Sequence, residues 1–150
     1  MVLTANAEIQ ILKPTSVVFK AIVEPEMMRN YFIAHSTGKL QQGITVSWSF
    51  PEFQGTFPVT AKEIKIDSYI SFDWSGGEKN QLVEIFLSST KEDNTIVKIV
   101  ENQMDESLDG IQKMKKQTEG WANFLACLKA FLEYGINLRK GAFDYMQNNG

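Results

Sequence analysis

Cysteine and histidine are almost missing from this sequence. Cys127 is the single cysteine and His35 the single histidine among 150 residues. One cysteine excludes an internal disulfide, and no HExxH- or CxxC-like spacing exists to bind zinc. Any Ser-His-Asp or Cys-His catalytic arrangement would have to use His35. We therefore expect no metal site and no cofactor.

A strong charge of one sign and long hydrophobic runs are also lacking. The 15 basic and 18 acidic residues are interspersed and give a net charge of -3. Without a basic stripe to follow a phosphate backbone, nucleic acid is not an expected partner. No apolar run approaches the roughly 18 residues of a membrane span, and the N-terminal residues lack the features of a signal peptide. We expect no membrane insertion and a cytoplasmic location, which also suits a single cysteine.

The hydrophobic content is sufficient for one folded domain. Hydrophobic residues make up 43% of the chain, and about 150 residues is a typical length for a single domain with its own core. We predict one domain over 1–150, with a core at about 5–134 and a short C-terminal extension at 135–150.

The most regular hydrophobic pattern predicts one long helix at about 110–134. Apolar and semi-polar residues recur there at alternating steps of four and three: Met114, Thr118, Trp121, Leu125, Leu128 and Leu132. Such spacing forms one apolar stripe on a helix, and Gly135 is placed to end it. Small residues form a column beside the stripe, at Gly120, Asn123, Cys127 and Ala130; they indicate either the close approach of a strand or a dimer contact.

Alternating patterns predict strands through most of the remaining chain. They lie at 5–12, 37–40, 44–50, 57–66, 70–74, 82–87 and 95–100, with two short helices at 15–22 and 26–32 after the first strand. A change of phase across Lys62-Glu63 predicts a bulge. Ser75-Gly76-Gly77 predicts a hairpin turn.

This order of elements, together with two local stretches, resembles a known family. The stretches are 14–22 followed by Pro25-Glu26-Met27-Met28, and Glu119-Gly120-Trp121 at the long helix. The chain resembles the START-like (SRPBCC) superfamily, and within it the homologues of the activator of heat-shock protein ninety ATPase. The resemblance implies an α+β helix-grip fold. A curved antiparallel sheet of six to seven strands would wrap around the long C-terminal helix, with a cavity between them.

The cavity implied by the resemblance has candidate lining residues on the apolar phases of its strands and helix. Large rings there could fill the core, or could line an apolar pocket in which an indole N–H orients a ligand. The candidate ligand-binding residues are Trp48, Phe57, Phe72, Trp74, Ile85, Ile99, Trp121, Leu125 and Leu128.

Two further side chains are weak catalytic candidates. Glu101 shares the phase of Val97 and Ile99, so it could point inward and act as a general base, although residues at strand ends are commonly solvated. His35 lies where the cavity mouth is expected, but an exposed loop histidine is the simpler interpretation. Asp73 and Glu84 are expected to point outward.

Three functions are compatible with this sequence. The first is a module that binds a hydrophobic or amphipathic small molecule, without catalysis. The second is a co-chaperone that docks on a heat-shock protein; the activators that name the family are larger and carry a further N-terminal domain, so we do not expect the full activator function. The third is an enzyme of the cyclase or hydratase type, which requires His35 or Glu101 to face the pocket. The sequence leaves open whether the protein is a monomer or a homodimer.

Overall fold

The fold consists of one antiparallel sheet, one long helix and three short helical segments. The computed structural model describes residues 3–76 and 81–149, so part of the predicted hairpin at Ser75-Gly76-Gly77 lies outside the described residues. The strands are β1 (Leu3–Ile11), β2 (His35–Ser36), β3 (Thr45–Ser49), β4 (Phe57–Lys65), β5 (Tyr69–Asp73), β6 (Leu82–Ser89) and β7 (Thr95–Met104). The helices are α1 (Thr15–Val23), α2 (Pro25–Met28) and α3 (Leu108–Tyr134), followed by a 3-10 helix at Asp144–Asn149.

The seven strands form a meander whose order is β1-β7-β6-β5-β4-β3-β2. All neighbouring strands are antiparallel, and the last strand, β7, pairs with the first strand, β1. The helix-grip prediction is therefore confirmed, including the two short helices after β1, although α2 ends at Met28 and not at the predicted residue 32. The predicted bulge is also present, because the register between β4 and β5 shifts between Ala61 and Ile64.

Two strands end four residues away from their predicted ends, whereas the other strand boundaries differ by at most two residues. The strand expected at 37–40 lies earlier, at His35–Ser36, because the Ser36 hydroxyl bonds to the backbone of Gly38 and turns the chain there. Strand β7 continues beyond the predicted end at residue 100 and reaches Met104. Glu101 consequently lies inside the strand and not at its solvated end.

Helix α3 lies against the sheet along the predicted stripe. The Ser107 side chain caps its first turn by accepting from the Gly110 backbone N–H at 3.0 Å, and Gly135 ends it in the left-handed conformation at a φ of 67°. The helix packs mainly on β1 and β7, burying Trp121, Leu125 and Leu128. Within the described part of the chain, no helix has both the length and the hydropathy to cross a membrane.

Candidate ligand-binding pocket

The most distinctive polar group of the core is the carboxylate of Glu101. Glu101 is 0% exposed because it lies on the same face of β7 as Val97 and Ile99, the face that meets α3. Helix α3 places Gln117 and Trp121 one turn apart on the facing side, while the chain leaving β5 brings Trp74.

Three neutral N–H groups donate to this carboxylate. The indole Nε1 of Trp121 donates to Oε1 at 2.7 Å and the amide Nε2 of Gln117 to the same atom at 2.9 Å. The indole Nε1 of Trp74 donates to Oε2 at 3.2 Å. Since indole N–H groups can only donate, the arrangement suits an ionised carboxylate. Among the residues that the structure describes, no cationic side chain pairs with Glu101.

The three donors also line a pocket of about 340 Å³ that opens to solvent. Trp74 and Trp121 form one wall, with ring centroids 5.2 Å apart. The remaining aromatic lining is phenylalanine, contributed by the segment after α2, the loop that follows β3 and the start of β4: Phe32, Phe50, Phe53 and Phe57. Gln117, Gly120 and Arg139 complete it. The pocket is thus aromatic, with few polar groups.

Arg139 reaches the pocket from the C-terminal extension. Its guanidinium forms a two-bond pair with Glu52 in the loop before β4, from Nη2 to Oε1 at 2.9 Å and from Nε to Oε2 at 3.2 Å. The same guanidinium lies over the rings of Phe32 and Phe50, 5.6 Å and 5.8 Å from their centroids. A further bond joins the Gln147 amide to the Pro51 carbonyl at 3.0 Å. Two side chains of the C-terminal extension therefore fasten it to the β3–β4 loop.

The candidate ligand-binding residues fall into two groups. Phe57, Trp74 and Trp121 line the pocket. The other candidates are buried core residues outside its lining: Trp48, Phe72, Ile85, Ile99, Leu125 and Leu128. The indole N–H groups at the pocket are already bound to Glu101, whereas the Trp48 N–H is buried without a hydrogen-bond partner among the described residues. Contact between ligand and any of these residues stays a prediction.

The catalytic candidates do not meet at the pocket. His35 is exposed on the short edge strand β2, and neither His35 nor Glu101 is among the residues lining the pocket. Within the described residues, no group of three potential metal-ligating side chains is present.

On the outer face of the sheet, Glu84 accepts from the Tyr69 hydroxyl at 2.6 Å. Burial, together with this bond, raises the pKa of Tyr69 to about 12.

Sequence reasoning missed several residues of the pocket. The lining residues that were not predicted as ligand-binding are Phe32, Phe50, Phe53, Gln117, Gly120 and Arg139. Three phenylalanines lie within 50–57, a segment that also carries turn-forming proline and glycine, and that density of rings in a loop could have indicated a pocket rim. Nothing in the pattern could have indicated Arg139, because its partner Glu52 is 87 residues away.

Solved structures share this fold. The protein SSP2350 from Staphylococcus saprophyticus superposes with a TM-score of 0.79 at 24% identity, over 91% of this chain and 96% of that chain. The Aha1 dimer from Colwellia psychrerythraea gives a TM-score of 0.76 at 18% identity, over 88% and 97%. DynU16, a putative protein in the dynemicin biosynthetic locus, gives 0.78 at 18% identity, over 89% of this chain and 48% of that chain. At these identities the likeness shows the fold alone.

A family model provides the sequence-level relation. No curated protein matches the sequence significantly. The model described as "Activator of Hsp90 ATPase homolog 1-like protein" matches residues 13–133, which include α1, all strands except β1, and nearly all of α3. The matched residues are most of the chain, and the match agrees with the fold shared with the Aha1 structure. The chain belongs to the family of proteins similar to homolog 1 of the Hsp90 ATPase activator.

Proposed function

We propose that this protein binds a hydrophobic or amphipathic small molecule in the pocket between the sheet and α3. The observation that carries the proposal is the open, aromatic pocket of about 340 Å³. Small-molecule sites are concave and mostly apolar, with volumes of roughly 300–1,000 Å³. This pocket is at the small end of that range, which suits a compact ligand.

The rigid wall of the pocket supports the same proposal. Glu101 holds Trp74, Gln117 and Trp121 at once, so these side chains cannot turn without losing a bond to a buried carboxylate. A wall that is fixed before binding reduces the entropy lost when a ligand is ordered. The arrangement favours binding over catalysis, because the carboxylate lies behind its donors and both oxygens already accept hydrogen bonds.

Gly120 allows the pocket to be closed without disturbing the core. It lies on the exposed side of α3 and lines the pocket, and a Cβ placed there would have no atom within 4 Å. Gly120→Phe therefore adds a ring to the pocket. Ala122→Phe is the matched control, since Ala122 is an exposed residue of the same helix outside the pocket lining.

The test combines native mass spectrometry with thermal shifts. The native and denatured masses of the wild type are compared for co-purified molecules, and a panel of uncharged aromatic metabolites, sterols and fatty alcohols is screened. We expect a discrete bound mass or a thermal shift that is lost in Gly120→Phe and kept in Ala122→Phe. A bare mass with no shift across the panel would contradict the proposal and favour the interaction with a heat-shock protein.

A further inference from the structure

The charges around the pocket do not cancel. The charged groups that line it, or bond to its lining side chains, are Glu101, Glu52 and Arg139 in the described part of the chain. Arg139 and Glu52 neutralise each other in their two-bond pair. The donors to Glu101 that the structure describes are all neutral. One negative charge is therefore left directly behind the wall formed by Trp74, Gln117 and Trp121.

The rings on the pocket wall add to this negative potential. The face of an aromatic ring is the negative part of its quadrupole, so several faces around one space attract a cation. The pocket lining itself includes a cation held in this way, because the Arg139 guanidinium lies within 6 Å of the ring centroids of Phe32 and Phe50. The rings nearest Glu101, those of Trp74 and Trp121, have no described cation over them.

We infer that the ligand of this pocket is an organic cation with an apolar body, such as a quaternary or protonated amine. This inference rests on the proposed function and specifies its ligand class. The cationic head binds near Trp74 and Trp121, where the uncompensated carboxylate of Glu101 lies behind the rings, and the apolar body contacts the phenylalanines toward the mouth. A ligand carboxylate would meet the Glu101 charge without a free cation among the described residues to balance it.

The test compares three probes that differ in charge. Benzyltrimethylammonium is the cation, neopentylbenzene is its uncharged carbon isostere, and phenylacetate is an anion with the same ring. The full chain labelled with nitrogen-15 shows one indole N–H signal for each of its three tryptophans. Trp74 and Trp121 report on the pocket, whereas Trp48 lies outside its lining and is the internal control.

We expect the cation to shift the Trp74 and Trp121 signals with a Kd about tenfold below that of the isostere, and phenylacetate to bind most weakly. In Glu101→Gln, the ratio of the Kd of neopentylbenzene to the Kd of benzyltrimethylammonium should fall toward one. If this variant does not fold, the ratio measured on the wild type decides, since it needs no substitution.

Two results would overturn the inference. If neopentylbenzene or phenylacetate binds at Trp74 and Trp121 as tightly as benzyltrimethylammonium or more tightly, the inference of a cationic ligand is refuted, but the pocket remains a ligand site. No shift from any probe would also refute it. The proposed function is judged separately, because the comparison of Gly120→Phe with Ala122→Phe uses uncharged ligands.

Discussion

Glu101 is the residue at which the sequence pattern and the structure agree most usefully. Glu101 shares the period-two phase of Val97 and Ile99, which made an inward side chain one of two interpretations, and the residue is buried. The pattern could not predict its partners, because Trp74 and Trp121 come from other elements and meet it only in the folded chain. The physical consequence is a carboxylate that organises the pocket wall without lining the pocket itself, and its weak catalytic candidacy stays a prediction.

Replacing Glu101 with glutamine should destabilise the fold. Glutamine keeps the size but replaces one acceptor oxygen with an NH2 group, so at least one indole N–H is left without an acceptor. A buried donor left unsatisfied costs about 1–3 kcal/mol. Urea unfolding followed by circular dichroism measures the change. Glu92→Gln, in an exposed turn, is the control and should remain within about 0.5 kcal/mol of the wild type; a Glu101→Gln change equally small would contradict the assignment.

At the level of elements, α3 was predicted nearly to the residue, because its stripe runs along most of the helix and both ends carry capping signals. The column of small residues beside the stripe was harder to interpret. A methyl group added at Gly120 would find no atom within 4 Å, so no strand approaches there. The glycine instead forms part of the pocket, a role that depends on the aromatic loop across from it and not on the helix pattern.

Two glycines of α3 should respond in opposite ways to alanine. Gly120→Ala should stabilise the protein by about 0.5–1 kcal/mol, because it removes the entropy cost of glycine from an exposed helix position. In Gly110→Ala the new Cβ would lie 1.7 Å from the Asp105 carbonyl oxygen, and overpacking of this kind costs about 1–3 kcal/mol. Urea unfolding of the two variants distinguishes them; the same sign for both would contradict the packing described here.

The contribution of the α3–β1 junction to the stability of the fold should depend on pH through Glu133. Burial alone would raise the pKa of Glu133. The hydrogen bond from the Leu12 backbone N–H and the contact with Lys129 outweigh burial and lower this pKa below its usual 4.5. A depressed pKa in the folded state contributes stability above the unfolded value and loses it as the pH falls through the folded value.

Glu133→Gln should therefore be less stable than the wild type at neutral pH. The difference should be complete above about pH 4.5 and disappear as the solution becomes more acidic than the folded pKa. Urea unfolding of both proteins at a series of pH values measures it. Glu119→Gln, on the exposed side of the same helix, controls for the loss of one carboxylate; a difference independent of pH would contradict the role of Glu133.

Over the whole molecule, the sequence predicted what depends on local periodicity and missed what depends on long-range closure. The strands, the bulge in β4 and α3 follow from patterns of two and 3.6 residues. The pocket depends on contacts such as Arg139 with Glu52, between the C-terminal extension and the β3–β4 loop. The extension was predicted only as a short trailing segment, since its turns carry no periodic pattern, yet it supplies a cation to the pocket lining.

The pairing of Arg139 with Glu52 should be measurable as a coupling between these two distant segments. Arg139→Met leaves the Glu52 carboxylate, whose side chain is 3% exposed, without its partner. Loss of one member of a fully buried pair costs roughly 3–5 kcal/mol. We expect a smaller loss, on the order of 2 kcal/mol, because the Arg139 side chain is 15% exposed, so water can reach Glu52 once the guanidinium is removed.

A double-mutant cycle tests this connection. Wild type, Arg139→Met, Glu52→Gln and the double variant are unfolded in urea, and the coupling energy should be about 0.5–3 kcal/mol, as for residues in direct contact. The double variant should then be more stable than the sum of the single losses implies, because it buries no unpaired charge. Strictly additive losses would show that the extension is not held to the β3–β4 loop by this pair, and the mouth of the pocket would then be formed without Arg139.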